Sequence, residues 1–184
     1  MKEGTVVQSH SKLSCKTEIK KLEVSKLYNE CGNTLIRAAY LILKDRELAE
    51  DVIQEVFLSV YVNYHSFRGD SDINTYLYRI MINKCREKMR KNWFRKRANI
   101  DVNETMIIVD NEENKLIEKM FLSQNIWKLN QKYKEVIVLF YYNNLSIKEI
   151  SIILNITENN VKVRLKRARE KLKEFMKGEG MYER

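Results

Sequence analysis

Residues Ser146 to Lys177 read SIKEISIILNITENNVKVRLKRAREKLKEFMK, a stretch whose period is that of two short helices about a tight turn. The first helix is predicted from Ser146 to about Leu154, with Ser146 as its cap and Glu149 reaching back to complete a capping box. Asn155-Ile156-Thr157 breaks the pattern, and Thr157 is placed to cap a second helix. In that second helix Val161, Leu165, Ala168 and Leu172 fall on one apolar stripe. The other side carries Asn159, Asn160, Lys162, Val163, Lys166 and Arg167. A helix that packs on one flank and offers amides and cations on the other suits the major groove of DNA.

Working outward, the rest of the chain supports an all-helical reading. Its 184 residues contain five glycines and no proline, which argues against a turn-rich β fold. The net charge of +9 favours a polyanionic partner, and its distribution sharpens that expectation. Lys84 to Arg97 holds eight cations against Glu87 alone, and Glu158 to Lys177 holds eight against three acids. Between them, Asp101 to Glu118 holds six carboxylates against Lys115. Two basic segments separated by an acidic one imply two polyanion-contacting faces. Solvated helix faces are the plainer alternative.

Cys15, Cys31 and Cys85 are far apart with no CxxC pair, and His10 and His65 are the only histidines, so no metal site or cofactor is expected. An odd cysteine count without a signal peptide fits a reducing cytoplasm. No apolar run approaches the roughly 18 residues needed to span a bilayer, so no membrane insertion is expected.

The predicted organisation is an N-terminal extension over 1–20, a first helical domain over 21–97, a flexible acidic linker over 98–115, a helix-turn-helix domain over 116–178 and a tail over 179–184. A helix from Leu22 to Leu43 turns Leu27, Leu35, Ala38, Ala39 and Ile42 to a core, and Lys44-Asp45-Arg46 interrupts it. The next, Glu47 to about Tyr64, clusters Ala49, Val52, Ile53, Val56 and Val60 on one side. Asp51, Gln54, Glu55 and Leu58 lie diametrically opposite, either as a functional face or as ordinary solvent-facing groups. Phe67 to Asp72 reads as a turn, with Gly69 supplying freedom and Ser71 a cap. A long helix follows to about Lys96, packing through Ile73, Tyr76, Leu77, Ile80 and Met81. Arg79, Asn83, Arg86 and Arg90 line one of its faces. Cations there suit phosphates and the amide suits a base edge, while Tyr76, Tyr78, Trp93 and Phe94 offer rings for unstacked bases, with filling the core as the plainer reading of Tyr76, Trp93 and Phe94. Beyond the linker, Leu116, Ile117, Met120, Phe121, Ile126, Leu129, Val136, Ile137, Leu139 and Phe140 supply a second small core.

Two stretches resemble one family in the correct order. Ala49 to Lys91, AEDVIQEVFLSVYVNYHSFRGDSDINTYLYRIMINKCREKMRK, is similar to region 2 of bacterial sigma factors. Tyr133 to Glu174, YKEVIVLFYYNNLSIKEISIILNITENNVKVRLKRAREKLKE, is similar to their region 4. Nothing between them resembles the extra central domain of larger sigma factors, which points to the extracytoplasmic-function (ECF) group. The resemblance implies two small all-α domains, core RNA polymerase (its β′ clamp helices and β flap) and promoter DNA as partners, an anti-sigma factor as inhibitor, and no small-molecule substrate. It implies that Asp51, Gln54 and Glu55, with Leu58 on the same face, dock on the clamp helices. It places Arg79, Asn83, Arg86 and Arg90 at the −10 element. Asn83 would meet a non-template base there, and the loop holding Gly69, Asp70 and Asn74 would pocket a flipped-out one. Capture of this kind stabilises a rare opening, since each extruded base costs a few kcal/mol. For the −35 element it implies Asn159, Asn160, Lys162, Val163, Arg164, Lys166 and Arg167. Arg167 or Lys166 would read guanine edges, and Lys162 or Arg164 would hold phosphates. Val163 departs from the small polar residue common there, and Tyr76 from a frequent tryptophan.

Two other readings compete with this one. A stand-alone helix-turn-helix regulator would leave the Asp51 and Arg79–Asn83 faces without a role. A nucleic-acid enzyme would need a carboxylate opposite Asp51 and Glu55 for Mg²⁺, a phosphate-cradling glycine loop or a nucleophile–histidine pair, and the chain shows none of these.

Overall fold

A computed structural model describes the backbone of residues 4–63, 72–97 and 122–178, with side chains over 22–63, 72–91 and 122–177. The linker at 98–115, the loop holding Gly69 and Asp70, and the tail at 179–184 lie outside the described residues. What is described is helix and turn, with no strand.

Helix α1 spans Gly4–Leu43 and so starts well before Leu22, where the apolar period begins. The early turns, read as a loose extension, are continuous helix because nothing between Gly4 and Gly32 breaks it, neither proline nor glycine. Leu35, Ala38, Ala39 and Ile42 are buried as expected, and Leu27 packs on their edge. Lys44 then takes a left-handed conformation (φ 61°) that ends the helix. Asp45 caps α2 (Arg46–Val62) by accepting the Leu48 N–H at 3.0 Å. The inward side of α2 is Ala49, Val52, Ile53, Val56, Phe57 and Val60, the predicted cluster with one ring added.

Helix α3 (Ile73–Arg97) begins on Asp72, whose carboxylate accepts the Asn74 N–H at 2.7 Å. Its buried arc is wider than predicted. Leu77 and Met81 are joined by Tyr78, Ile82 and Cys85, while Ile73, Tyr76 and Ile80 are only half-buried. The cause is tertiary: α3 packs on α1 and α2 and also on a helix of the C-terminal domain. The two domains therefore lie against each other.

The C-terminal domain opens with α4 (122–128) and α5 (Gln131–Ile137), which widens into a π turn at Val138–Tyr142. The Asn143 side-chain amide closes that turn by donating to the Val138 carbonyl at 2.9 Å. Helices α6 (Ile147–Leu154) and α7 (Glu158–Gly178) follow. The predicted capping box is present. The Glu149 N–H donates to Ser146 Oγ at 3.2 Å, and the Ser146 N–H donates to Glu149 Oε2 at 2.8 Å. Asn155, left-handed at φ 53°, turns the chain, and Thr157 Oγ1 accepts the Asn160 N–H at 3.2 Å to start α7. Ser146→Ala is expected to cost about 1 kcal/mol, lowering the Tm by about 2–4 °C in calorimetry. Among the described residues no helix is long and apolar enough to cross a membrane.

Candidate nucleic-acid interface

Helix α7 is split by its own periodicity. Val161, Leu165 and Ala168 are buried against the rest of the C-terminal domain, and Leu172 packs beside them. Asn159, Asn160, Lys162, Val163, Lys166 and Arg167 are exposed. Arg164 is half-buried and turns instead toward a cleft between the domains. The Arg167 guanidinium beside the Tyr133 hydroxyl holds that phenol below its usual range, and Lys132 sits 5.0 Å over the same ring. Tyr133 thus braces the base of a side chain whose charge faces solvent.

On α3, Arg79, Asn83 and Arg90 are exposed, and Asn74 is exposed at the helix start. Asn83, Arg86 and Arg90 line one cleft, as their shared phase predicts. Arg86 is not free. Its Nε and Nη2 donate to the two oxygens of Glu135 on α5, at 2.9 and 2.7 Å. Gln131 donates to the first of these oxygens at 2.9 Å. Glu135 is 1% exposed. Tyr78 also departs from expectation. It is buried, and its hydroxyl donates to Asn143 Oδ1 at 2.7 Å, so its ring is not available to an unstacked base. Burial pushes that hydroxyl up to about 12. Trp93 and Phe94 lie in α3 beyond the described side chains.

Helix α2 presents Asp51, Gln54 and Leu58 to solvent, with Leu58 63% exposed. Val62, one turn further and 65% exposed, extends this ridge. Glu55 is turned toward α3 and pairs with Lys84 and Lys88, both at 2.9 Å. Its hydrogen bonds to Lys84 and then Lys88 hold the carboxyl below its ordinary range. Glu55 therefore ties α2 to α3 as well as edging the exposed ridge.

The cleft of about 820 Å³ is walled by α3 on one side and by α5 with the start of α7 on the other. Arg86, Arg90, Lys132 and Arg164 outnumber Glu87 and Glu135 among its lining residues. At the neighbouring seam Tyr40 of α1 meets Trp127 of α4 edge-on at 5.5 Å, and Lys134 Nζ donates to the Ile42 carbonyl at 3.4 Å. The Trp127 Nε1–H is buried there without an acceptor. Glu135 was not singled out from the sequence, although a signal existed. Val136 to Leu139 are apolar in every phase, so this turn is buried all round and the carboxylate beside it must be paired. Val62, Gln131, Tyr133 and Asn143 carried no such mark.

Comparison with known proteins agrees with this architecture. Residues 27–95 match the family described as Sigma-70 region 2, and residues 126–172 match Sigma-70, region 4. Over 155 residues the chain is 34% identical to the ECF RNA polymerase sigma factor SigW of Bacillus subtilis (strain 168), covering 78% of this chain and 83% of that protein. It is 28% identical over 158 residues to the ECF RNA polymerase sigma factor SigM of the same organism, covering 83% and 94%. The fold is similar to that of the sigma factor RpoE, solved in complex with the anti-sigma factor NepR from Bartonella quintana. The TM-score there is 0.71 at 20% identity, over 86% of this chain and 99% of that one.

Proposed function

This chain belongs to the ECF group of RNA polymerase sigma factors, and on that premise we propose which of its surfaces perform each step of initiation. A sigma factor binds core polymerase, recognises the −35 and −10 elements and promotes strand opening. The observation that carries the assignment is that α3 and α7 each keep one flank in the core while turning amides and cations to solvent. Helix α7 enters the major groove at the −35 element, with Arg167 or Lys166 on base edges and Lys162 on phosphate. Asn83, flanked by Arg79 and Arg90, receives a non-template base at the −10 element. The Asp51–Gln54–Leu58–Val62 ridge docks on the β′ clamp helices. The chain itself performs no bond-making chemistry in this reading and acts in the cytoplasm beside the polymerase.

An anti-sigma factor as a further partner is supported by the neighbour solved with one. A free-standing helix-turn-helix regulator is not favoured, because a region 2 domain accompanies the DNA-reading one. Asn83→Ala tests the assignment, using promoters selected from a randomised library with reconstituted holoenzyme. Permanganate footprints of open complexes are expected to fall about tenfold or more while closed-complex affinity changes less than about threefold, as for a contact made only once the strands part. Equal loss at both stages would make Asn83 a structural residue.

A further inference from the structure

We propose that the cleft between the domains is a binding site for a small oligophosphate, either a free chain of linked phosphates or the phosphate tail of a nucleotide. Four cations line it, Arg86 and Arg90 from α3, Lys132 from α5 and Arg164 from α7. Its two carboxylates are already neutralised. Glu135 is paired with Arg86 and Glu87 with Lys91, each at 2.7 Å. Among the described residues, Arg90, Lys132 and Arg164 have no carboxylate partner. Three helices thus bring three uncompensated charges to one concave surface. Like charges gathered there repel, and the concave wall focuses their potential. A bound anion of several charges relieves that repulsion.

Size and lining define the ligand. The cleft of about 820 Å³ has the volume of a small-molecule site and is far too small for a duplex. Every lining residue is charged or carries an amide, with no aromatic or aliphatic side chain among them. The apolar bed usual in cofactor sites is therefore missing, and recognition falls on charge and hydrogen bonding. Guanidinium forks and an ammonium hold phosphate oxygens, and the amides of Asn83 and Asn130 add neutral donors. A single phosphate carries at most about two charges and leaves one of three cations unmet. A chain of three phosphates meets them all.

Occupancy of the site regulates promoter use. Asn83 and Arg90 belong to the −10 face, so this consequence rests on the reading of that face given above. A seated oligophosphate takes the donors that a promoter strand needs, and the two ligands exclude each other.

The test titrates the full chain, without polymerase, with tripolyphosphate in Mg²⁺-free buffer and follows the heat. Saturable binding at one site is expected. Lys132→Gln and Arg164→Gln should each weaken it about tenfold or more, the loss of one charge-assisted contact. Lys132 is exposed, so its variant serves if Arg164→Gln fails to fold. Lys173→Gln removes an exposed cation of α7 outside the cleft and should change affinity less than about twofold. Orthophosphate should bind at least about tenfold more weakly than tripolyphosphate. Absence of binding, equal losses in Lys173→Gln and the cleft variants, or orthophosphate binding as tightly as tripolyphosphate overturns the site. Adenosine triphosphate identifies the source. Tighter binding than tripolyphosphate assigns the site to a nucleotide, and equal or weaker binding assigns it to the free chain. A labelled randomised single strand tests the consequence. With tripolyphosphate at about ten times its Kd, strand affinity should fall about tenfold in the wild-type chain and only about twofold in Lys132→Gln. Oligophosphate binding without displacement of the strand upholds the site and removes Asn83 and Arg90 from the DNA-binding face, so the two assignments fail separately.

Discussion

Asp51→Arg combined with Leu58→Asp is expected to weaken binding to core polymerase by about a hundredfold or more, with the melting temperature nearly unchanged. Both side chains are exposed on α2, and Leu58, at 63% exposure, is a large apolar group that the isolated chain leaves in water. An apolar centre ringed by polar groups is the usual build of a binding hot spot, where each truncation costs roughly 2 kcal/mol or more. Two such losses correspond to at least about a hundredfold in affinity. Neither residue belongs to the buried set of α2, so the effect on stability should stay within about 0.5 kcal/mol. Fluorescence anisotropy of the labelled chain titrated with core polymerase measures the first quantity, and calorimetry the second. Retained binding would move the docking site away from α2.

Glu55 is deliberately left out of that pair. From the sequence it shares a face with Asp51, and reversing both charges is the obvious experiment. The structure shows that Glu55→Lys would place a third ammonium beside Lys84 and Lys88, so lost docking and disturbed α2–α3 packing would be confounded. A helical wheel gives phase, but a residue at the margin of an exposed arc is decided by what the neighbouring helix brings to it.

The same distinction separates what was legible in this chain from what was not. The helix-turn-helix could be read to the level of individual hydrogen bonds, because its Ser146 box and Thr157 cap are local interactions within four residues. The inward sides of α2 and α7 were equally legible, since each helix buries one stripe. Helix α3 was not, because it is covered from two directions. Tyr78, assigned to bases on phase alone, is claimed by Asn143, 65 positions away in sequence. Arg86 is claimed by Glu135 across a separation of 49. Contacts between domains leave no periodic trace, and only the all-round apolar turn after Glu135 hinted that its carboxylate was not solvated.

Arg167→Ala is expected to weaken promoter binding by holoenzyme by about 1–3 kcal/mol, and the loss should fall on one −35 position rather than on all sequences. Arg167 lies on the exposed flank of α7, and its place beside the Tyr133 hydroxyl restricts a side chain that otherwise samples many rotamers. A pre-oriented guanidinium presents its fork to O6 and N7 of one guanine, and a neighbouring base pair offers no equivalent geometry. Two companion variants give the result its meaning. Tyr133→Phe removes the brace but not the fork, so it should reduce affinity only a few-fold while the preferred base stays the same. Lys162→Ala, by contrast, should weaken every promoter alike and reduce the salt slope of binding by about one, as expected for a single phosphate contact. Binding measured across single-position variants of a selected −35 element, at two salt concentrations, separates the three patterns. Should Arg167→Ala behave as Lys162→Ala does, Arg167 grips backbone, and base reading on α7 passes to Lys166, one residue earlier on the same exposed flank.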